Sequence, residues 1–379
     1  MNFCLAADRG ATVTLTRLLV TGNESACYSP FPSVDPVAHR MDWLGRRPPL
    51  LLEFDAEQRL WQETVRDAVA KRCPAALIRR IAEGAADPAP LWGAHVEQGW
   101  TELTDPANAV ELTIVLEELG RATDPTPFLA TVTQFAPLAD ARYNPQQAGA
   151  ALLEGVTARR DGEGWLLSGT SRYVLDGDRA EHLAVVTDTG VFVVDAGKAT
   201  VTRRPVFDPV LHVADVSLAA VKVCDGDRVD VDAERASHVA RTGMAITTVG
   251  ACQRVLDLVL QYVRDRHQFG VPIGSFQAVQ HKAVDMHVAI ERARALSYFA
   301  ALTISADDPR RRLAAAMAKA AAGDCQAVVF RNGLQLFGGM GFTWENDVQF
   351  ALKRAKAGEL MLGGAAEHRA VVVEEYGKL

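Results

Sequence analysis

No run of about 20 apolar residues occurs in the chain, so a membrane-spanning helix is not expected. Cysteine is sparse. The six, Cys4, Cys27, Cys73, Cys224, Cys252 and Cys325, form no CxxC pair, and no histidine lies at a companion ligand spacing. Neither a metal site nor a disulfide framework is expected, and a reducing cytoplasm fits. His281 and His287 are too far apart for an i, i+4 ligand pair and read as ordinary surface or core histidines. Clustered positive charge is also lacking: the net charge is -7, which argues against nucleic acid as a partner. The short run Arg310, Arg311, Arg312 follows Asp307, Asp308 and Pro309 and reads as a solvated helix start. No GxGxxG fingerprint follows a strand, so a Rossmann-type nicotinamide site is unsupported.

What is present is an ordinary globular composition, 49% hydrophobic and 23% charged, over a length sufficient for two or three domains. Residues 1–41 stand apart. They carry Thr, Ser and Pro punctuation without sustained helical period and read as a poorly ordered leader, with Met41 as an alternative translation start.

From residue 42 to 148 the pattern is helical. Phe54, Leu60 or Trp61, Val65, Ala68 and Val69 recur at three- and four-residue steps, with Asp55 placed as an N-cap and Pro74 as a stop or kink. A second helix is expected over 108–121, capped by Gly120, and a third over 126–139. From 149 to 228 short β-branched runs alternate with Asp-Gly and Thr-Gly turns and predict a small antiparallel β domain. From 229 to 379 four helices with continuous apolar stripes predict a bundle, its last member running from about 345 to 362. The fold class is mainly α with a central β domain.

Two segments can bind a ligand. Arg264–Gly270 ends one long helix; an Arg there can reach an anion such as a diphosphate, or can cap its own helix. Gln335–Thr343 places three glycines within four positions, which permits close backbone approach to a ligand or simply joins two helices.

The strings RDRHQFGVPIGSFQAVQHKAVDM (264–286) and QLFGGMGFT (335–343) closely resemble the stretches by which acyl-CoA dehydrogenases are recognised. The likeness covers about residues 50–379 and is strongest in the C-terminal bundle. In the N-terminal region, Leu116–Arg121 and Pro127–Ala130 look most like actinobacterial members acting on steroid side chains. The resemblance implies an α domain, a β-barrel-like domain and a four-helix bundle. It also implies FAD at a subunit interface, with the flavin ring on one subunit and the diphosphate and adenine on its neighbour. By resemblance Arg266, Gln268, Phe269, Ile273, Phe276, Gln277, Gln335, Gly338 and Gly339 belong to the neighbour's half. An acyl-CoA thioester would be the substrate and an electron-transfer flavoprotein the acceptor.

The pattern breaks where the family keeps its catalytic base. The slot after the fourth bundle helix holds Leu362, and the alternative slot on the first bundle helix holds Ala240. Neither side chain can take a proton. Glu359 and Glu367 are fallback bases, but Glu359 lies about 5 Å of helical rise from the slot. The loop over the flavin has no match between Tyr143 and Val156, and the following strand aligns with Tyr173-Val174-Leu175, where Leu175 lacks a hydroxyl. Tyr173 can stack on a flavin or be an ordinary strand aromatic. The losses resemble those of non-catalytic subunits in actinobacterial heterotetrameric acyl-CoA dehydrogenases, which complete the FAD site of a catalytic partner. A self-sufficient flavoenzyme using Glu359 or another base is the alternative, and a helical scaffold without FAD a third reading.

Overall fold

The computed structural model describes residues 53–378, so the leader expected over 1–41 lies outside the described residues. The N-terminal layer comprises α1 (Ala56–Arg72), α2 (Ala75–Ala82), α3 (Ala89–Glu97) and α4 (Ala109–Ala122). Asp55 caps α1 as expected: its carboxylate accepts from the Gln58 N–H at 2.8 Å, and the Gln58 side chain returns the bond to Asp55 N. Pro74 begins α2 and so separates it from α1. A helical run then passes through α5 (Phe128–Ala130), a π turn at Thr131–Phe135 and α6 (Ala136–Ala139). Pro137 has no N–H for the carbonyl four residues back, which favours the wider turn before it.

Helix α4 is buried along almost its whole length, including two glutamates. Glu117 accepts hydrogen bonds from Arg294 Nε at 2.6 Å and from the Tyr298 hydroxyl at 2.8 Å. Glu118 accepts from Arg66 Nη2 at 2.8 Å. These carboxylates therefore dock α4 onto its neighbours. Gly120 is not the cap expected of it. The helix ends at Thr123 in the left-handed region, φ 61°, and Gly120 instead meets the bundle: a Cβ there would lie 2.3 Å from the Thr247 carbonyl oxygen.

The middle of the chain forms two four-stranded sheets. One has the order β1 (Gly149–Leu152), β4 (His182–Thr187), β5 (Gly190–Asp195), β8 (Arg228–Val229). The other runs β2 (Val156–Asp161), β3 (Gly164–Leu175), β7 (Val213–Cys224), β6 (Thr200–Arg203). Leu152, Leu167, Leu183, Val185, Phe192 and Val216 fill a common core. The expectation of antiparallel strands holds except for β1 and β4, which pair in parallel. The β2–β3 hairpin between them belongs to the other sheet, so the chain re-enters the first sheet in its original direction.

The C-terminal region holds α7 (Ala233–Asp265), the short β9–β10 hairpin (His267–Gln268, Val271–Pro272), α8 (Gln277–Ser305), α9 (Arg311–Phe337) and α10 (Val348–Leu360). Helices α7 and α9 are long and apolar, and most of each apolar stretch is buried in the bundle. Alanines 314, 315, 316, 318, 320, 321 and 322 are all buried, so α9 packs on every side. A further helix, α11 (Ala365–Tyr376), goes beyond the four expected and lies against α9. Gly323 of α9 makes room for Ala365, since a Cβ at Gly323 would lie 2.8 Å from the Ala365 methyl. The Arg310–Arg312 run begins a helix but is not solvated throughout. Arg311 is buried and pairs with Asp307 at 2.9 Å, while Arg312 lies against Glu234, Glu374 and Glu375.

Candidate functional site

Two concavities collect most of the residues singled out in the sequence; Phe269, Phe276, Gln277 and Glu359 line neither. The first is a recess of about 440 Å³ at the end of the bundle. It gathers Arg266, Gln268, Ile273, Gln335, Gly338 and Gly339 from segments distant in sequence, together with Tyr262, Phe337 and Met340. The Tyr262 and Phe337 rings lie 4.7 Å apart and supply an aromatic wall.

Local geometry explains how these side chains are presented. Phe269 and Gly270 form the two-residue turn of the β9–β10 hairpin with φ 54° and 82°, as a primed turn requires. Phe269 is 92% exposed, touching Phe276 edge-on at 6.2 Å. A ring held in the left-handed region and turned to solvent contributes little to its own fold. Phe276 is also exposed, and Gln277 opens α8 beside it. Arg266 ends α7 through its backbone N–H, which donates to Tyr262 O at 2.9 Å. Its guanidinium has no hydrogen-bond or ion-pair partner among the described residues, so the side chain does not cap its own helix. Gly338 sits at φ 59°, and a Cβ at Gly338 or Gly339 would meet nothing within 4 Å. The chain's own packing does not crowd these glycines; the surface in front of them is open.

The second is a cavity of about 830 Å³ between the β domain, α7 and the α10–α11 turn. Leu362 and Ala240, the two base slots, both line it, as do Tyr173 and Leu175. Glu359 does not. Its carboxylate pairs instead with Lys356 of the same helix at 2.8 Å, while Leu362 lies beyond the helix end in the following turn. Glu367, from the first turn of α11, does line the cavity.

The turn that carries Leu362 is tightly held. Leu362 and Gly363 both have positive φ, 58° and 87°. Lys319 of α9, only 1% exposed, donates to the carbonyls of Glu359 at 3.1 Å and Gly363 at 2.7 Å. Burial pushes the Lys319 pKa down to about 8, against attraction from Glu359 and Glu367. The Nε2 of His368 lies 2.8 Å from the Leu362 carbonyl and donates to it, and burial lowers the imidazole pKa. Nothing in the sequence marked Lys319 or His368, because their partners are backbone carbonyls that only the folded turn brings to them.

Tyr173 owes its position to a β-bulge. The β3–β7 register shifts between Ser171 and Val174, and Tyr173 is left at φ 57° and 68% exposed, with its N–H donated to Asp215 at 3.3 Å. It stands at the cavity rim rather than in the flat ladder of an ordinary strand. Beneath the same cavity, Arg354 of α10 donates to Asp208 at 2.8 Å and to the Asp124 carbonyl at 2.7 Å, tying α10 to the β domain and to the segment after α4.

Comparison with known proteins agrees with this architecture. The model of the acyl-CoA dehydrogenase C-terminal domain matches residues 232–376. Acyl-CoA dehydrogenase IpdE2 of Mycolicibacterium smegmatis is 31% identical over 321 residues, covering 82% of this chain and 96% of that protein. Among solved structures, the ChsE4–ChsE5 complex from Mycobacterium tuberculosis superposes with a TM-score of 0.78 at 23% identity, over 87% of this chain and 99% of that one. The Tcur3481–Tcur3483 steroid ACAD G363A variant gives 0.75 at 24% identity, over 85% and 98%. The fold is that of the acyl-CoA dehydrogenases, and the chain belongs to the acyl-CoA dehydrogenase family.

Proposed function

We propose that this chain is the non-catalytic subunit of a heteromeric acyl-CoA dehydrogenase, contributing the diphosphate and adenine half of an FAD site to a catalytic partner. The observation that carries the reading is the contrast between the two concavities. Both base slots, Leu362 and Ala240, face one cavity and are apolar. The recess at the bundle end holds Arg266, unpaired among the described residues, two amide side chains and an open glycine turn.

The recess fits the group assigned to it. Arg266 would take the diphosphate, because a guanidinium offers paired donors to phosphate oxygens. Gln268, Gln335 and the Gly338-Gly339 backbone would add neutral donors, and Ile273 and the Tyr262–Phe337 wall would cover apolar surface of the adenine end. Phe269 and Phe276, exposed beside the recess, would pack against the partner together with Gln277. When bound, FAD accepts the hydride removed from an acyl-CoA thioester and passes its electrons to an electron-transfer flavoprotein. In this chain neither Leu362 nor Ala240 can remove the accompanying α-proton, so the partner supplies the base. The ChsE4–ChsE5 complex and the Tcur3481–Tcur3483 steroid ACAD, two-component assemblies by name, share this fold and are consistent with a heteromer; a steroid side-chain or fatty acyl thioester is the substrate class of this reading. Cytoplasmic chemistry of this kind needs neither membrane nor nucleic acid.

A second reading rests on Glu367, the carboxylate from α11 that lines the same cavity as the empty slots. A self-sufficient flavoenzyme would use it as the base. The deciding experiment is purification of the chain alone and together with its partner, counting flavin by absorbance and assaying acyl-CoA oxidation. The heteromer reading expects little flavin and no turnover alone, with both gained on co-expression. Full flavin loading and turnover by the pure chain, abolished by Glu367→Gln, would replace it with the second reading.

A further inference from the structure

The cavity that has lost both bases has kept a cation. Arg241 follows Ala240 on α7 and lines the cavity, and its guanidinium has no hydrogen-bond or ion-pair partner among the described residues. The cavity wall beside it is apolar: Leu175, Leu211, Val213, Met361 and Leu362. At about 830 Å³ the space is of the size that holds a small-molecule ligand. A half-buried guanidinium next to apolar walls, with no carboxylate in contact among the described residues, gains from an anion that reaches it.

The other charges around the cavity do not neutralise it. Glu367 lies against the turn that Lys319 binds, and its field acts on Lys319 and His368. Asp208 is committed to Arg354 at 2.8 Å. Glu154 and Arg172, one of each sign, line the cavity from the β-domain side. Burial lowers the Arg241 pKa ahead of a weaker opposing pull from Glu234, and Arg312 lowers it further.

We propose that this cavity is a non-catalytic binding site for an amphipathic carboxylate, its carboxyl group on Arg241 and its apolar body against Leu175, Leu211, Val213, Met361 and Leu362. The proposal rests on the reading of the chain as a subunit without its own base, in which this cavity is not used for turnover. Bond making is not required of it; the ligand is held by one charge-assisted contact and by burial of its chain.

The test is titration calorimetry of the full-length chain with decanoate, 1-decanol and decylamine. Decanoate should bind saturably at one per chain, and decylamine should not. Arg241→Gln should weaken decanoate by about tenfold or more while changing decanol little, since it removes one charge-assisted contact. Arg241→Lys should restore part of the loss, which separates a lost charge from a damaged fold. Leu211→Trp, which narrows the apolar wall, should weaken both decanoate and decanol. Equal affinity for decanoate and decylamine, or an unchanged decanoate affinity in Arg241→Gln, overturns the proposal. So does displacement of decanoate by equimolar FAD, which would make the cavity a flavin pocket. No decanoate binding by a chain that still restores flavin to its partner overturns this inference alone. Turnover of an acyl-CoA by the pure chain overturns the functional reading beneath it.

Discussion

The ammonium of Lys319 lies 2.7 Å from the carbonyl oxygen of Gly363, so a buried cation from the middle of α9 fixes the turn on which Leu362 sits. That turn carries the residue that the sequence aligns with the base slot, and a leucine there cannot act as a base. A turn with two consecutive positive-φ residues, one of them leucine, needs such support, because the left-handed region is costly for a residue with a branched side chain.

This contact makes stability depend on pH in a definite direction. The folded pKa of Lys319, about 8, lies below the unfolded value of 10.5. Between those values the unfolded chain holds more protons than the folded one, so the Lys319 contribution to stability rises as pH increases through that window. Below about 8 the burial cost of the charged form is present in full. The melting temperature of the wild type relative to Lys319→Met should therefore rise from pH 8 to pH 10 by about 2 °C or more. A flat or falling difference in calorimetric melts would contradict it.

Helices α4 and α7 approach through a pair of glycines. A Cβ at Gly250 would sit 2.1 Å from the Glu117 carbonyl oxygen, and one at Gly120 would sit 2.3 Å from that of Thr247. Gly250→Ala or Gly120→Ala should destabilise the chain by about 2–3 kcal/mol, because backbone must move on both helices. Gly93→Ala is the control: the site has open space and should be neutral or stabilising by about 0.5–1 kcal/mol. Denaturant unfolding distinguishes them, and equal effects at Gly250 and Gly93 would refute the close-approach account.

The Arg354–Asp208 pair is buried on both sides, 8% and 0% exposed at the side chains. Removing one partner leaves a buried charge alone. Asp208→Ala should cost about 3–5 kcal/mol, and the double variant Asp208→Ala/Arg354→Met should recover a substantial part of that loss. A double-mutant cycle in urea measures this directly, and additive losses would show that the two groups do not act as a pair.

At the bundle recess, Arg266 is the group whose removal should reach the cofactor without touching the core. Arg266→Ala in the co-expressed complex should weaken FAD retention by about tenfold or more, with the unfolding midpoint of the flavin-free chain unchanged. Flavin release followed by fluorescence during dialysis gives the readout. Unchanged retention removes Arg266 from the site.

Local rules reached a good part of this molecule. The Asp55 cap, the break at Pro74, the apolar stripes of the bundle helices and the turns of the β domain all depend on residues within a few positions of one another. The two candidate segments, Arg264–Gly270 and Gln335–Thr343, could be singled out for the same reason, since each is a continuous string whose residue types suit close backbone approach and anion contact. The apolar character of Leu362 and Ala240 was also legible, because a side chain that cannot take a proton is known from its identity alone.

Tertiary structure decided what those side chains face. Gly120 looked like a helix cap from its own sequence but answers to Thr247 on another helix, and only the crossing angle of α4 and α7 makes it a contact. The parallel pairing of β1 and β4 follows from which sheet the intervening hairpin joins. Glu359 and Glu367, both fallback bases in the sequence, are separated by the α10–α11 turn: Glu359 pairs with Lys356 and Glu367 lines the cavity. The same turn hides Lys319 among carbonyls, while Arg241 faces the cavity with no ion-pair contact among the described residues. A residue's chemistry is local, but its partners and its dielectric surroundings are set by chain segments that meet only on folding.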